Sequence, residues 1–454
     1  MNRKTQVAVT ALLALGGTYF LADAFDLTPG LITTRPVEEK AASYPSADPV
    51  SIASPQLPSL DEEAAVPSAD DVQAAIDELL ANPQLTGQAS IEIVDAATGE
   101  VLGGANTDVA RMPASNQKLL TATVALEVLG PQSTLETTAA LADGTLYLVG
   151  GGDAMLAAGH GDPDSIMGHA GLADLADQTA ENLKESGTTA VDLAVDSSLF
   201  TGPLYHPEVV GSDTSYIMQM RPIAVELSHD SEGAFTADPD LQALDAFAAA
   251  LKERGIAANV IGREQAPTQA LEVGAVESAS IRELVDHMLT DSCNTTADIL
   301  GHLVALAEGE SGDFEGAARA TTSVLKEMGY TTAGITVSDN SGMSILNRLT
   351  TAIQIEILDD VYTCEECNLE AIASGLPVAG LNGTLSTRMT ELDLGGRVRA
   401  KTGTLIMANS LSGFMMTEGG RVLSFSVLVD NIEEGTTREI RTLIDDFLGE
   451  IAAL

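Results

Sequence analysis

Ser115 and Lys118 stand three residues apart where the lead-in "RMPA" meets an almost wholly apolar run, "LLTATVALEVLG". If that run is a helix, the serine sits in its first turn near the positive end of the dipole. The lysine then lies on the same face one turn further on. An amine so placed reaches the hydroxyl and, when neutral, takes its proton, which turns the serine into a nucleophile. A lone Ser-x-x-Lys more often means a capping serine and a lysine whose stem covers apolar surface while its head stays in water.

Two further clusters change that weighing. Ser292-Cys293-Asn294 follows the amphipathic stretch "SIRELVDHMLTD", and Lys401-Thr402-Gly403-Thr404 lies in a β-rich segment. Ser-x-x-Lys, Ser-Asp-Asn and Lys-Thr-Gly, in this order, are the signature of penicillin-binding proteins and class A β-lactamases. Three short motifs in sequence are far more specific than one.

The chain further resembles the D-alanyl-D-alanine carboxypeptidase/endopeptidase family of low-molecular-mass (class C) penicillin-binding proteins, peptidase family S13. The resemblance rests on "LYLVGGGD", "VDSSLF", "SDNSGMSILNRLT", "LPVAGLNGTLSTRM" and "VRAKTGTL". It also rests on the 177-residue separation of Ser115 and Ser292, a gap in which this family carries extra domains and which is much shorter in β-lactamases.

The resemblance implies a role for each residue. Ser115 is the nucleophile that attacks a D-Ala carbonyl and forms an acyl-enzyme. Lys118 must be neutral for part of the time, against an ordinary pKa of ~10.4, and burial together with a second cation, Lys401, would lower it. Ser292 resembles the family's proton relay to the leaving amine, and Asn294 the amide that keeps substrate and lysine in register. Lys401, Thr402 and Thr404 resemble the group that receives the substrate's terminal carboxylate, while Gly403 lets the strand edge approach the substrate closely. The backbone N–H groups of Ser115 and Thr404 would form the oxyanion hole. The implied partners are peptidoglycan stem peptides and β-lactam antibiotics, and the implied chemistry needs no metal and no cofactor. Cys293 departs from the usual motif and is read as a small, inert filler.

The implied fold class is α/β (α+β): a serine β-lactamase/transpeptidase-like domain, an antiparallel sheet flanked by helices, with mainly β domains inserted between the first and second motifs. The patterning agrees at both ends. Ser68 is a candidate N-cap for a helix with Val72, Ile76, Leu79 and Leu80 on its apolar face. "ASIEIVDAATGEVLG" alternates about a Thr98-Gly99 turn, as a hairpin does. "GRVRAKTGTL", "NSLSGFMMT" and "RVLSFSVLVDN" read as strands, followed by a helix with Ile440, Leu443, Ile444, Phe447, Leu448 and Ile451 at helical spacing. Strands from both ends of the chain therefore share one mixed sheet. Residues 68–135 and 276–454 are assigned to the catalytic domain, and 136–275, with its short strands and Gly/His/Asp loops, to the insertion.

Residues 1–24 carry a basic start, an apolar run from Val7 to Ala22 and Ala22-Asp23-Ala24, the pattern of an export signal or anchor. Residues 25–67, rich in Pro, Ala, Ser and acids, read as a flexible linker. Membrane association is expected through the N-terminus only. The 22 Lys+Arg against 66 Asp+Glu give a formal charge of −44, which repels nucleic acid. Of the three cysteines, Cys364 and Cys367 are read as a small disulfide loop in an exported protein, which leaves Cys293 unpaired.

Other signals carry less weight. "GHGDPDSIMGH" groups two histidines and two aspartates, but no spacing in it matches an established metal pattern. "GGGD" lacks the lysine and hydroxyl of a phosphate-cradling loop. Asp286-His287 precedes Ser292, yet the lysine signature explains that serine better than a Ser-His-Asp triad. Two alternatives remain open: a β-lactamase, and a non-catalytic wall-binding protein on an inherited fold. Against the first, Met343 stands where a Glu-x-x-Leu-Asn pattern would place its deacylating acid; against the second, all five chemical residues are intact.

Overall fold

The computed structural model describes residues 18–19, 63–230, 233–363 and 368–454. Apart from 18–19 and 63–67, the signal-like segment and the linker lie outside the described residues, as do Cys364 and Cys367. Among the described residues, no helix is long and apolar enough to cross a membrane.

Helix α1 (Ala69–Ala81) precedes the hairpin of β1 (Gln88–Asp95) and β2 (Val101–Ala105), whose turn uses Gly99 at φ 70°. Gln117–Leu129 forms α2. From the other end of the chain come β10 (Val398–Leu405), β11 (Ala408–Met416), β12 (Val422–Asp430) and the final helix α10 (Thr437–Ala453). The five strands make one antiparallel sheet in the order β10-β11-β12-β1-β2, with Gln88 opposite Asp430. Alternation sorts β12 between two layers. Phe425, Val427 and Val429 pack with α1 and α10, whereas Leu428 faces the core around α2. All six apolar residues expected on the last helix are buried. On α1 the buried stripe is Val72, Ala75, Ile76 and Leu79, and Leu80 falls outside it.

The α2 side of the sheet is covered by α5 (Ile281–Thr290), α6 (Asn294–Ala307), α7 (Phe314–Glu327), α8 (Thr351–Thr363) and α9 (Glu370–Gly375). A capping box of Ser280 and Glu283 starts α5, satisfying two otherwise orphaned backbone donors.

The stretch between α2 and α5 builds a second sheet, β8-β6-β4-β3-β9. Its strands are β3 (Glu136–Ala142), β4 (Thr145–Val149), β6 (Ala190–Asp196), β8 (Ala257–Arg263) and β9 (Leu271–Glu277). Short β5 (Asp153–Leu156) and β7 (Ile223–Val225) pair separately. The β4/β6 and β6/β8 pairs are parallel, which requires crossovers. Helices α3 (Leu172–Glu185) and α4 (Pro239–Glu253) lie within them. The segment thus carries two helices besides its strands. Leu175, Leu183, Leu244, Phe247 and Leu251 form its own apolar core with Leu146, Leu148 and Leu193.

Candidate active site

Ser115 sits in a single 3-10 turn, Ala114–Asn116, that runs directly into α2. The lead-in is held on both sides. Arg111 exchanges backbone hydrogen bonds of 2.8 Å with Leu349, and its guanidinium pairs with Asp430 at 2.9 Å in a buried setting. The Asp430 carboxylate also accepts from the Met112 N–H at 3.2 Å, and the Ser410 hydroxyl donates to the Pro113 carbonyl at 2.6 Å. These contacts lock Ala114 at φ 47°, a left-handed conformation that costs a non-glycine residue of order 1 kcal/mol or more. Ser292 is held likewise, at φ 58°. Ser115 therefore directly follows a left-handed residue, and Ser292 is itself one.

Helix α2 is buried on nearly every face, and Lys118 is wholly shielded from solvent. Its amine donates to Ser115 Oγ at 3.1 Å, Asn294 Oδ1 at 2.7 Å and the Ser341 carbonyl at 2.5 Å. Burial, the largest influence, pulls its pKa down to about 8, against the opposing pull of Asp298, Asp339 and Cys293. This is no snorkelling lysine. Lys401, also fully buried on β10, donates to Ser292 Oγ at 2.9 Å and to the Thr402 carbonyl at 2.9 Å. Burial first and the charge of Lys118 second push it well below the ordinary lysine range.

The motifs from three distant parts of the chain thus meet: α2 supplies Ser115 and Lys118, the α5–α6 junction Ser292 and Asn294, and β10 Lys401 to Thr404. Thr402 Oγ1 donates to Thr384 Oγ1 at 2.8 Å, and Thr404 Oγ1 to Asn409 Oδ1 at 3.3 Å. Gly403 has a task the sequence reading did not foresee. A Cβ there would overlap Ser410 Oγ, lie 2.7 Å from the Pro113 carbonyl oxygen and 3.0 Å from the Ser115 nitrogen. The glycine lets β10 press against the turn of Ser115.

Cys293 is half-buried and free, its sulfur accepting from Thr296 Oγ1 at 3.2 Å, in keeping with a packed filler. His287 pairs with Asp291 at 3.5 Å, while Ser292 Oγ is engaged by Lys401. In the loop 159–169, His160 bonds Asp174 outside it, and Asp162 accepts from Asp164 N–H and the Ser165 hydroxyl.

Three groups beside Lys118 were not assigned tasks from sequence: Asp298, Asp339 and Ser341. All are buried. Asp298 lies one turn beyond Asn294 on α6, the one carboxylate of a largely buried helix, and that mismatch was the available signal. The loop 338–344 wraps under α2, where Gly342 at φ 85° leaves no room for a Cβ against the Ala114 backbone. The segment between α2 and α5 reaches the same place: Asn294 Nδ2 donates to the Tyr216 carbonyl at 2.9 Å, and the Met218 N–H to Thr295 Oγ1 at 3.0 Å.

The D-Ala-D-Ala carboxypeptidase 3 (S13) family model matches residues 72–234 and 223–451. Carboxypeptidase DacB of Mycolicibacterium smegmatis is 32% identical over 339 residues, spanning 71% of this chain and 72% of that protein. The D-alanyl-D-alanine carboxypeptidase of Actinomadura sp. strain R39 is 26% identical over 409 residues, 70% of this chain and 73% of its own. Among solved structures, penicillin binding protein 4 (dacB) of Haemophilus influenzae superposes with a TM-score of 0.68 at 20% identity. That match covers 83% of this chain and 98% of the other, and establishes the penicillin-binding-protein fold. The chain belongs to the D-Ala-D-Ala carboxypeptidase 3 (S13) family.

Proposed function

We propose that the protein is an exported serine D,D-peptidase that removes terminal D-alanine from peptidoglycan stem peptides through an acyl-enzyme, and that it also opens D,D-cross-links. The observation that carries this reading is the fully buried Lys118 amine, 3.1 Å from Ser115 Oγ. In the neutral state that burial favours, Lys118 takes the hydroxyl proton as Ser115 attacks the carbonyl of the penultimate D-alanine. The backbone N–H groups of Ser115 and Thr404 stabilise the resulting oxyanion. Ser292, bonded to Lys401, carries a proton to the leaving D-alanine amine. Lys401, Thr402 and Thr404 receive the substrate's terminal carboxylate, whose charge favours the ammonium form of Lys401. Asn294 spans Lys118 and the Tyr216 carbonyl, and so holds the amine in register.

The names of the relatives support this substrate, as does a β-lactam complex of the Haemophilus protein. Export to the cell wall rests on residues 1–24, and residues 136–275 are taken as the inserted unit. The test is an intact-mass time course of the full chain with benzylpenicillin, beside Ser115→Ala, followed by D-alanine release from a D-Ala-D-Ala peptide. A persistent penicilloyl adduct on wild type alone, with D-alanine released, is expected. Rapid drug hydrolysis without an adduct would instead identify a β-lactamase, and inertness towards both compounds a wall-binding protein.

A further inference from the structure

We infer that Asp298 is a positioning residue, which fixes the Ser341 carbonyl so that the lone pair of neutral Lys118 points at the Ser115 hydroxyl. The inference rests on the reading of Lys118 as the base. A neutral amine has two N–H bonds and one lone pair. Three groups surround its nitrogen: Ser115 Oγ, Asn294 Oδ1 and the Ser341 carbonyl oxygen. The last two carry no hydrogen and can only accept, whereas the serine hydroxyl can also donate. The two N–H bonds therefore go to the two carbonyl oxygens, and the lone pair is left for Ser115. Remove either carbonyl from its place and the amine is free to turn an N–H towards the hydroxyl whose proton it must take.

Asn294 Oδ1 is placed by the start of α6. The Ser341 carbonyl belongs to a loop, and what holds that loop is Asp298. One oxygen, Oδ1, accepts from the backbone N–H groups of Asn340 at 2.9 Å and Ser341 at 2.8 Å. Because Asp298 lies one turn past Asn294, a single helix supplies one acceptor for the amine and the clamp for the other. The rest of the loop is satisfied independently. Asp339 takes the N–H groups of Gly342 and Ser344 and the Asn347 amide, and the Thr121 hydroxyl donates to the Asn340 carbonyl. Burial, and then the neighbouring Asp339, push the Asp298 carboxyl well above its ordinary range. A neutral side chain with an oxygen in the same place thus preserves what the group does.

The test compares Asp298→Asn, which keeps the acceptor, with Asp298→Ala, which removes it, and Asp298→Glu, which displaces it while keeping the acid. Benzylpenicillin acylation of the full chain is resolved into its rate and its prior binding, with thermal melting as the check on folding. Asn is expected within about threefold of wild type, whereas Ala and Glu acylate on the order of 100-fold more slowly with binding unchanged. A folded Ala or Glu variant at the wild-type rate overturns the inference, and so does an Asn variant as slow as Ala. Failure of both Ala and Glu to fold also counts against it, since the carboxyl would then serve the fold and not the amine. A wild type that forms no Ser115 adduct removes the functional reading itself, and this inference with it.

Discussion

Raising the pH from 7 to 9 is expected to speed acylation of Ser115 about tenfold and then to bring almost no further gain. Lys118 reacts as the neutral amine, and burial brings its pKa from 10.5 to about 8. At pH 7 about one-tenth of the protein then holds a neutral amine, and at pH 9 about nine-tenths. The sign follows from the direction of the shift: a lowered lysine pKa moves the active, deprotonated form towards neutral pH. Lys401 is buried beside Lys118 and each ammonium disfavours the other, so the apparent value belongs to the pair. The assay is stopped-flow acylation by a fluorescent penicillin at saturating drug, from pH 6 to 10.5, with Lys118→Arg as the control that cannot deprotonate. A rate that still climbs about sevenfold between pH 9 and 10 would mean an ordinary, hydrated lysine and refute the argument. A flat profile would remove Lys118 as the base.

Three more outcomes are expected. Gly403→Ala should lower stability by about 1–3 kcal/mol and slow acylation, because the added methyl meets Ser410, Pro113 and Ser115; denaturant melts and the same assay read both. Arg111→Ala should cost about 3–5 kcal/mol, since it leaves the Asp430 carboxylate buried without its cation, and calorimetry measures the loss. His302 is buried between Phe200 and Phe314 and bonded to the Asp298 carbonyl, and burial lowers its pKa from 6.5 to about 4. A depressed folded pKa gives stability that is present above 6.5 and lost as the pH falls towards 4. His302→Gln should therefore remove about 3 kcal/mol of acid sensitivity across that window, read as the difference in pH dependence of unfolding between the two proteins.

Where one residue type had to sit at one spacing, the sequence was legible. The final helix shows this, its six apolar positions all falling on the buried face. In the site, the structure joins Lys118 to Ser115 and Asn294, and Lys401 to Ser292, from motifs far apart in the chain. Leu80 misled because it stands four residues after Ile76, yet the buried stripe of α1 runs through Ala75 and Leu79. Ser68 occupies the N-cap of α1 but makes no side-chain capping bond, so its residue type alone was a weak sign. Gly403 was recognised as a place of close approach, but only the fold reveals that the approach is to the Ser115 turn. Helix α3 was legible but passed over, since its buried residues Leu172, Leu175, Ala176, Thr179, Ala180 and Leu183 recur at helical spacing. Asp298 offered one local sign, as the lone carboxylate of a largely buried helix, and Asp339 offered none. A buried carboxyl looks like any surface acid until its partners, 42 residues apart in the case of Asp298 and Asn340, are brought together.

The pairing of β1 with β12 has a consequence for how the protein is made. Gln88 and Asp430 face each other across about three-quarters of the chain, so the central sheet stays open until the last strand leaves the ribosome. At ordinary rates of synthesis that delay is roughly 20–70 s. During it β1 has one partner instead of two, and its free edge is available to any other strand. The chain is thus obliged to remain without its finished sheet until β12 has been made, and late closure then competes with association of that free edge with other nascent chains.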